Sequence, residues 1–501
     1  MRKKRLVINT VSSLAFQICT ILCGFIVPRL ILKSFGSEVN GLINSITQFL
    51  GIISFLELGV GSVIQSALYK PLADKDNNQI SKILVSGQRF FTKLAYILLI
   101  YVVFLMGIYP FIANQNFSFL YTATLIGAIS ISSFAQYYFG IVNRILLTAD
   151  QKGYISYNAQ TFTLILNTLA CFLFINLGAS IHIVKLTTSL IYVIRPLILM
   201  TYVKKNYQIN WDIDYDEEPI KQKWNGVAQH VAAVVLDGTD NIVLTIFADL
   251  KEVSVYSVYN LVVSGVKQLL LSTTNGIQSL IGEMWAKQEL ANLHKFFGWV
   301  EWTLHTGTIF VFGVTSVLIV PFVEVYTNGI SDINYVHPLF AMLLAAANAG
   351  HCLRLPYNIM ILAGGHYKQT QSNYVIAAII NIVVSVLAVR KWGLVGVAVG
   401  TVIAMFYQTI WMAIYNSKNL IQWPFRHFVK QILIDIITVV ILHFVTKFLV
   451  MDSISYFAWI LFGIKVSIIG CLVILIVNSI FYREHVQSLM WKLKHIIKKH
   501  L

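Results

Sequence analysis

Runs of mostly apolar residues follow one another along the whole chain, each long enough to cross a ~30 Å hydrocarbon layer as roughly 20 helical residues. No single motif constrains the fold as much. In lipid a backbone must bond its own N–H and C=O groups, and these runs lack the alternation of barrel strands, so each is read as a helix. The sequence predicts about fourteen spans. The first six lie near 8–32, 39–68, 90–113, 118–143, 155–177 and 179–203. The next six lie near 225–249, 253–283, 300–323, 337–363, 372–390 and 393–415, and two more near 428–449 and 456–482. Only 12% of the 501 residues are charged and 57% are hydrophobic, against about a quarter charged in a soluble domain. The expected fold class is an all-α polytopic membrane protein.

The chain also repeats itself. Glu38-Val39 returns as Glu252-Val253, and Ile64-Gln65-Ser66 as Ile277-Gln278-Ser279. Asn143 and Asn358 open similar five-residue stretches, Asn167 is echoed by Asn381, and Gly178 by Gly393. The spacing stays between 213 and 215 residues. Each match is loose, but the common period identifies two homologous halves. Six spans per half keep both halves in the same orientation, a parallel repeat. The expected organisation is an N-lobe at 1–208, a cytoplasmic linker at 209–224, a C-lobe at 225–416, and helices 13–14 with a basic cytoplasmic tail at 417–501.

The net charge of +15 is carried in short loops. Arg2 to Arg5, the 69–93 loop, the linker and the tail hold most of the cations on one side. The opposite loops hold only Lys33, Lys251, Arg390, Lys391 and Lys447. The positive-inside bias puts both termini in the cytoplasm of a cell-membrane protein and leaves nucleic acid without a role. The tail after Tyr482 reads as an amphipathic segment on anionic lipid head groups. No small-residue cleavage site follows the basic N-terminus, so a removable signal peptide is not expected. The five cysteines sit in apolar runs without metal-ligand spacing and read as small core residues.

Charged groups within spans cost roughly 2.5–3.5 kcal/mol each on insertion scales, so they face a cavity or a partner. His230, Asp237 and Asp240 recur at i, i+7 and i+10 on one face of the seventh span. Lys267 in the eighth span reaches a similar depth and is expected to pair with one of the aspartates. Glu57 in the second span maps near position 270 and is expected to answer Lys267 as a gate. Arg29, Arg195 and Arg354 are the cationic candidates beside helix-bending prolines. Arg29, Arg144 and Lys185 read at least equally well as snorkelling to the interface, and His305 as a satisfied core histidine. Asn40, Asn44, Gln48, Tyr256, Tyr259, Asn260 and Gln278 supply polar and aromatic contacts on the repeated helices. The acidic run from Trp211 to Glu218 reads as a solvated connector rather than a metal-holding Asp-x-Asp pair. No Walker loop, nucleophile elbow or metal-ligand cluster is present in the sequence, so neither an enzyme nor a cofactor is expected.

The Phe35-Gly36-Ser37-Glu38-Val39-Asn40-Gly41 turn, the Leu56-Glu57-Leu58-Gly59-Val60-Gly61 run and the six-plus-six-plus-two layout resemble the polysaccharide flippases. Those belong to the superfamily that also holds multidrug and toxic-compound extrusion transporters and lipid II flippases. The resemblance implies a two-lobed carrier that moves a polyprenyl-pyrophosphate-linked oligosaccharide to the outer leaflet. It implies coupling to H+ or Na+ and a polysaccharide polymerase acting downstream. Three alternatives stay open: a cation-coupled multidrug exporter, a lipid II flippase and a membrane glycan polymerase. The drug exporters typically carry an acid in the first span, and Ile8 to Leu32 has none. The polymerases usually carry a large outer loop, and the longest outer segment here, near 324–336, is about a dozen residues.

Overall fold

The computed structural model describes residues 2–112, 117–215, 218–219 and 227–500. All regular structure among them is helical. The elements are α1 (Arg2–Gly51), α2 (Phe55–Asp74), α3 (Asn77–Ile112), α4 (Phe119–Ala135), α5 (Ile141–Ala149), α6 (Gly153–Asn176), α7 (Ile181–Asn206), α8 (Val227–Phe247) and α9 (Leu250–Ser272). There follow α10 (Thr274–Ala286), α11 (Leu290–Tyr326), α12 (Pro338–Leu353), α13 (Leu355–Ala363), α14 (Tyr367–Trp392), α15 (Leu394–Asn419), α16 (Phe425–Thr446), α17 (Tyr456–Phe481) and α18 (Arg483–His500). Within the described residues, eleven helical segments are long and apolar enough to cross a membrane. The expected spans on α2 and α8 include residues whose side chains lie outside the described ones, among them Glu57 and Asp237.

The helices form two compact units, Met1–Ser254 and Val255–Leu501. In the first unit α1 lies along α6, α6 packs on α7, and α4 joins α3 to α7. The two parts of α1 meet at Gly36, whose φ of +82° breaks the helix. The core is built from Leu42, Ile46, Ile64, Leu68, Phe91 and Tyr109 with their neighbours. The helix α8, which the repeat counts with the second half, packs on α1 and α2. Ser45 and Thr245 join it to α1 at 2.6 Å, and Tyr109 donates to Ser45 at 2.6 Å.

In the second unit α14 and α15 form a tight hairpin, α12 packs on α15, and α11 contacts α12, α16 and α17. Gly396 and Gly400 make the hairpin possible. A Cβ on Gly396 would lie 2.5 Å from the Ala388 carbonyl oxygen, and one on Gly400 2.2 Å from Ser385 Oγ. Small residues four apart let helix backbones close to such distances in lipid.

The repeat extends to irregular features within each unit. Asn167 on α6 donates to the Tyr192 hydroxyl on α7 at 3.2 Å, and Asn381 on α14 donates to Thr401 on α15 at 3.0 Å. Gly178 (φ +75°) and Gly393 (φ +51°) turn the two corresponding corners. A π-turn at Gln136–Gly140 separates α4 from α5, and Arg354, 214 residues after Gly140, separates α12 from α13. The wide turn is stabilised from outside, because Gln88 donates to the Tyr138 carbonyl at 2.7 Å.

Candidate functional site

Each unit holds a cavity, and the two are lined by opposite chemistry. The cavity of the first unit, about 540 Å³, lies among α1, α4, α6 and α7. The α7 helix brings Lys185, Thr188, Ser189 and Tyr192 to its wall at i, i+3, i+4 and i+7, one helical face. Asn167, Ser132, Ser133, Tyr137, Thr20 and Thr47 complete the polar lining, and no carboxylate is among the lining residues. One turn beyond Tyr192, Arg195 stacks on its ring with 3.8 Å to the centroid and donates Nε to Thr163 at 2.6 Å.

The cavity of the second unit, about 500 Å³, is walled by aliphatic and aromatic side chains of α11, α12, α15 and α16, including Phe312, Met342, Phe406 and Val440. Its polar lining is confined to Ser316, Asp435 and His443. Leu353 closes one wall and is followed at the helix break by Arg354. The Arg354 side chain is buried and lies 3.2 Å from His351 Nδ1 and 5.7 Å from the Tyr374 ring centroid. Its Nε has no hydrogen-bond partner among the described residues. Lys267 on α9 acts on the same two neighbours, His351 and Cys352, as Arg354 does.

A second polar cluster lies beside that cavity. Glu301 on α11 accepts from the Tyr357 hydroxyl at 2.5 Å and from Trp423 Nε1 at 2.9 Å. One turn later His305 Nδ1 meets Asp435 Oδ2 at 2.7 Å, and Gln431 donates to the other Asp435 oxygen at 3.1 Å. His305 is fully buried, and its Nε2 has no partner among the described residues.

The remaining candidates fall into groups. Asn40 is buried and donates to Ser254 Oγ at 2.8 Å, a separation of 214 residues, the period of the repeat. Asn44 donates back to the Asn40 carbonyl at 2.8 Å, and Gln48 rests against Gly238. Asn40 and Gln48 touch neighbouring helices of the first unit, Asn44 bonds within its own helix, and none of the three is among the residues that line the cavity. Asp240 is buried on α8, and Arg29 is half-buried on α1 next to Pro28, which does line the cavity. The backbone of Glu57, His230 and Asp237 is helical, and their side chains lie outside the described residues. Tyr256 and Tyr259 are buried against Phe340, with centroids 6.0 and 5.1 Å away. The Tyr259 hydroxyl donates to the Tyr335 carbonyl at 2.7 Å, so it braces a loop. Asn260 accepts from Ser264 at 3.0 Å, and Gln278 is half-buried on α10. In the linker Asp214 pairs with Arg89 at 3.2 Å and Glu218 accepts from Ser86, which docks the acidic run on α3. No group of three metal-ligating side chains occurs among the described residues.

Sequence reading missed the weight of Lys185, Glu301 and Asp435. The Lys185-x-x-Thr-Ser-x-x-Tyr192 spacing was the available signal for the first. Nothing in the sequence signals the other two, because 130 residues separate His305 from Asp435.

No family model and no curated protein matches the chain. Among solved structures, "Lipid II flippase MurJ, inward closed conformation" is similar over 95% of this chain and 99% of its own, with a TM-score of 0.70 and 15% identity. An inward-facing multidrug resistance MATE family transporter of the MOP superfamily is similar over 80% of this chain and 94% of its own, with a TM-score of 0.66 and 14% identity. The eukaryotic MATE transporter AtDTX14 is similar over 86% and 98%, with a TM-score of 0.60 and 12% identity. The fold is thus that of the lipid II flippase and MATE transporter structures.

Proposed function

We propose that this chain is a cell-membrane flippase that carries a polyprenyl-pyrophosphate-linked oligosaccharide from the inner to the outer leaflet by alternating access. The observation that carries the reading is the second unit's apolar cavity, with Arg354 at the helix break beside it and Lys267 close to the same neighbours. A prenyl chain needs an apolar wall, and a pyrophosphate needs cations; a guanidinium fork matches two phosphate oxygens. Asp237 and Asp240, as acids within a span, couple the cycle to H+ or Na+. Residues 1–208 and 225–416 act as the two moving lobes, with both termini in the cytoplasm and the basic tail on anionic lipid. A polysaccharide polymerase takes over the product.

The extent of the structural likeness supports a lipid-linked cargo over a drug. The likeness to MurJ leaves out 5% of the chain, about 25 residues, which is fewer than Phe425–Phe481 contains. At least part of the α16–α17 pair is therefore covered, and α16 lines the apolar cavity. The inward-facing MATE transporter leaves out a fifth.

The test is complementation of a strain lacking this chain, read as surface polysaccharide and as lipid-linked saccharide held on the inner leaflet. Arg354→Ala, Lys267→Ala and Asp237→Asn are each expected to lower export at least tenfold while the protein stays at its normal level in the membrane. Full export by all three would remove the assignment. Restored resistance to lipophilic cations, with no effect on polysaccharide, would favour the multidrug exporter.

A further inference from the structure

The first unit's cavity has a lining that selects for one chemistry. Each hydroxyl has a single proton to give. Along this wall those protons are spent on helix carbonyls: Thr188 on Val184 at 2.9 Å, Ser189 on Ile129 at 3.3 Å, Thr20 on Phe16 at 2.8 Å and Thr47 on Ile43 at 2.7 Å. These side chains therefore present lone pairs to a ligand and no donor. The Tyr192 hydroxyl accepts from Asn167 and keeps its own proton to donate. The cation on this wall is Lys185, and no carboxylate is among the residues that line the cavity with it.

A ligand that satisfies this wall must bring hydroxyl donors for the acceptors and a negative charge for the ammonium. A lipophilic cation fails on the second count and an apolar molecule on both. A bare phosphate satisfies Lys185 but leaves the acceptors unanswered, and fills little of a cavity whose size lies within the usual range for small-molecule sites.

We propose that the cavity among α1, α4, α6 and α7 binds the phosphate ester of a polyol, with Lys185 on the phosphate and the Thr188–Ser189 edge on the polyol hydroxyls. A sugar phosphate and the glycerophosphate head group of an anionic lipid share this chemistry. The site is separate from the Arg354 region, and only the identity of its biological occupant rests on the flippase reading.

The experiment is protection of Lys185 from amine acylation, read by mass spectrometry on the full chain in phosphatidylcholine nanodiscs. Glucose 1-phosphate is expected to half-protect Lys185 at a concentration at least tenfold below that needed with inorganic phosphate or glucose. A second set of nanodiscs containing phosphatidylglycerol, with no sugar added, separates the two sources. Protection there assigns the site to lipid head groups, and protection only by the sugar ester assigns it to saccharide. Glucose 1-phosphate is also expected to raise the thermal unfolding midpoint of the wild type and of Lys185→Arg, but not of Lys185→Met. Equal protection by glucose and glucose 1-phosphate, or none by any probe, would overturn the proposal, and the wild-type measurement stands even if a variant fails to fold. Protection is read on purified protein and export in cells, so failure of one reading is distinguishable from failure of the other.

Discussion

The acid Glu301 shows how single residues hold the second unit together. Burying a carboxylate is costly unless its oxygens find donors, and Glu301 has one for each oxygen, Tyr357 and Trp423. Asp435 is held in the same way by His305 and Gln431. Tyr357→Phe removes one donor without opening a cavity. Leaving a buried acceptor unpaired costs about 1–3 kcal/mol, so the thermal unfolding midpoint is expected to fall, and an unchanged midpoint would show that the bond contributes nothing. In the sequence His305 reads as a satisfied core histidine. The structure satisfies one of its nitrogens and leaves the other without a partner, a distinction set by a helix 130 residues away. Lys185 was more accessible to reading, since its hydroxyl neighbours sit on its own helix face. Two readings competed there, snorkelling and cavity, and only the packing of α1, α4 and α6 around α7 decides between them.

Among the helices, the α14–α15 hairpin depends on two positions that tolerate no side chain. Gly396→Ala would drive a methyl group into the Ala388 carbonyl. Overpacking of this kind typically costs 1–3 kcal/mol, and a loss of folded yield against a Gly463→Ala control checks it. The control is fair because a Cβ on Gly463 meets only Leu318 Cδ1, at 3.5 Å. The terminal helix α18 is attached differently. His485 lies 5.2 Å from the Trp302 ring and 5.7 Å from that of Tyr482. Burial there, with Lys430 nearby and against the pull of Glu484, holds the imidazole below the ordinary histidine range. The docked helix thus favours neutral His485, so its docking is strongest above about pH 6.5 and weakens as the pH falls below that value. Amide exchange across 483–490, corrected for intrinsic rates, is expected to rise between pH 7.5 and 5.5. His485→Phe is expected to abolish that rise; a rise that persists in the variant would place its cause elsewhere.

For the whole molecule, hydropathy and the period near 214 were enough to establish an all-helical, internally repeated membrane protein. The details of the repeat follow the same period: Asn167 and Asn381 each join neighbouring helices, and the two corner glycines share a left-handed backbone. The linings of the cavities could not be read at all, since a lining depends on which faces meet rather than on what each helix contains. The consequence of those linings is a loss of equivalence. One unit offers a polar, cationic wall, and the other, completed by α16 from outside the repeat, an oily one. Doubling the first half would discard the oily wall together with the helix that completes it, so the two units are not interchangeable parts.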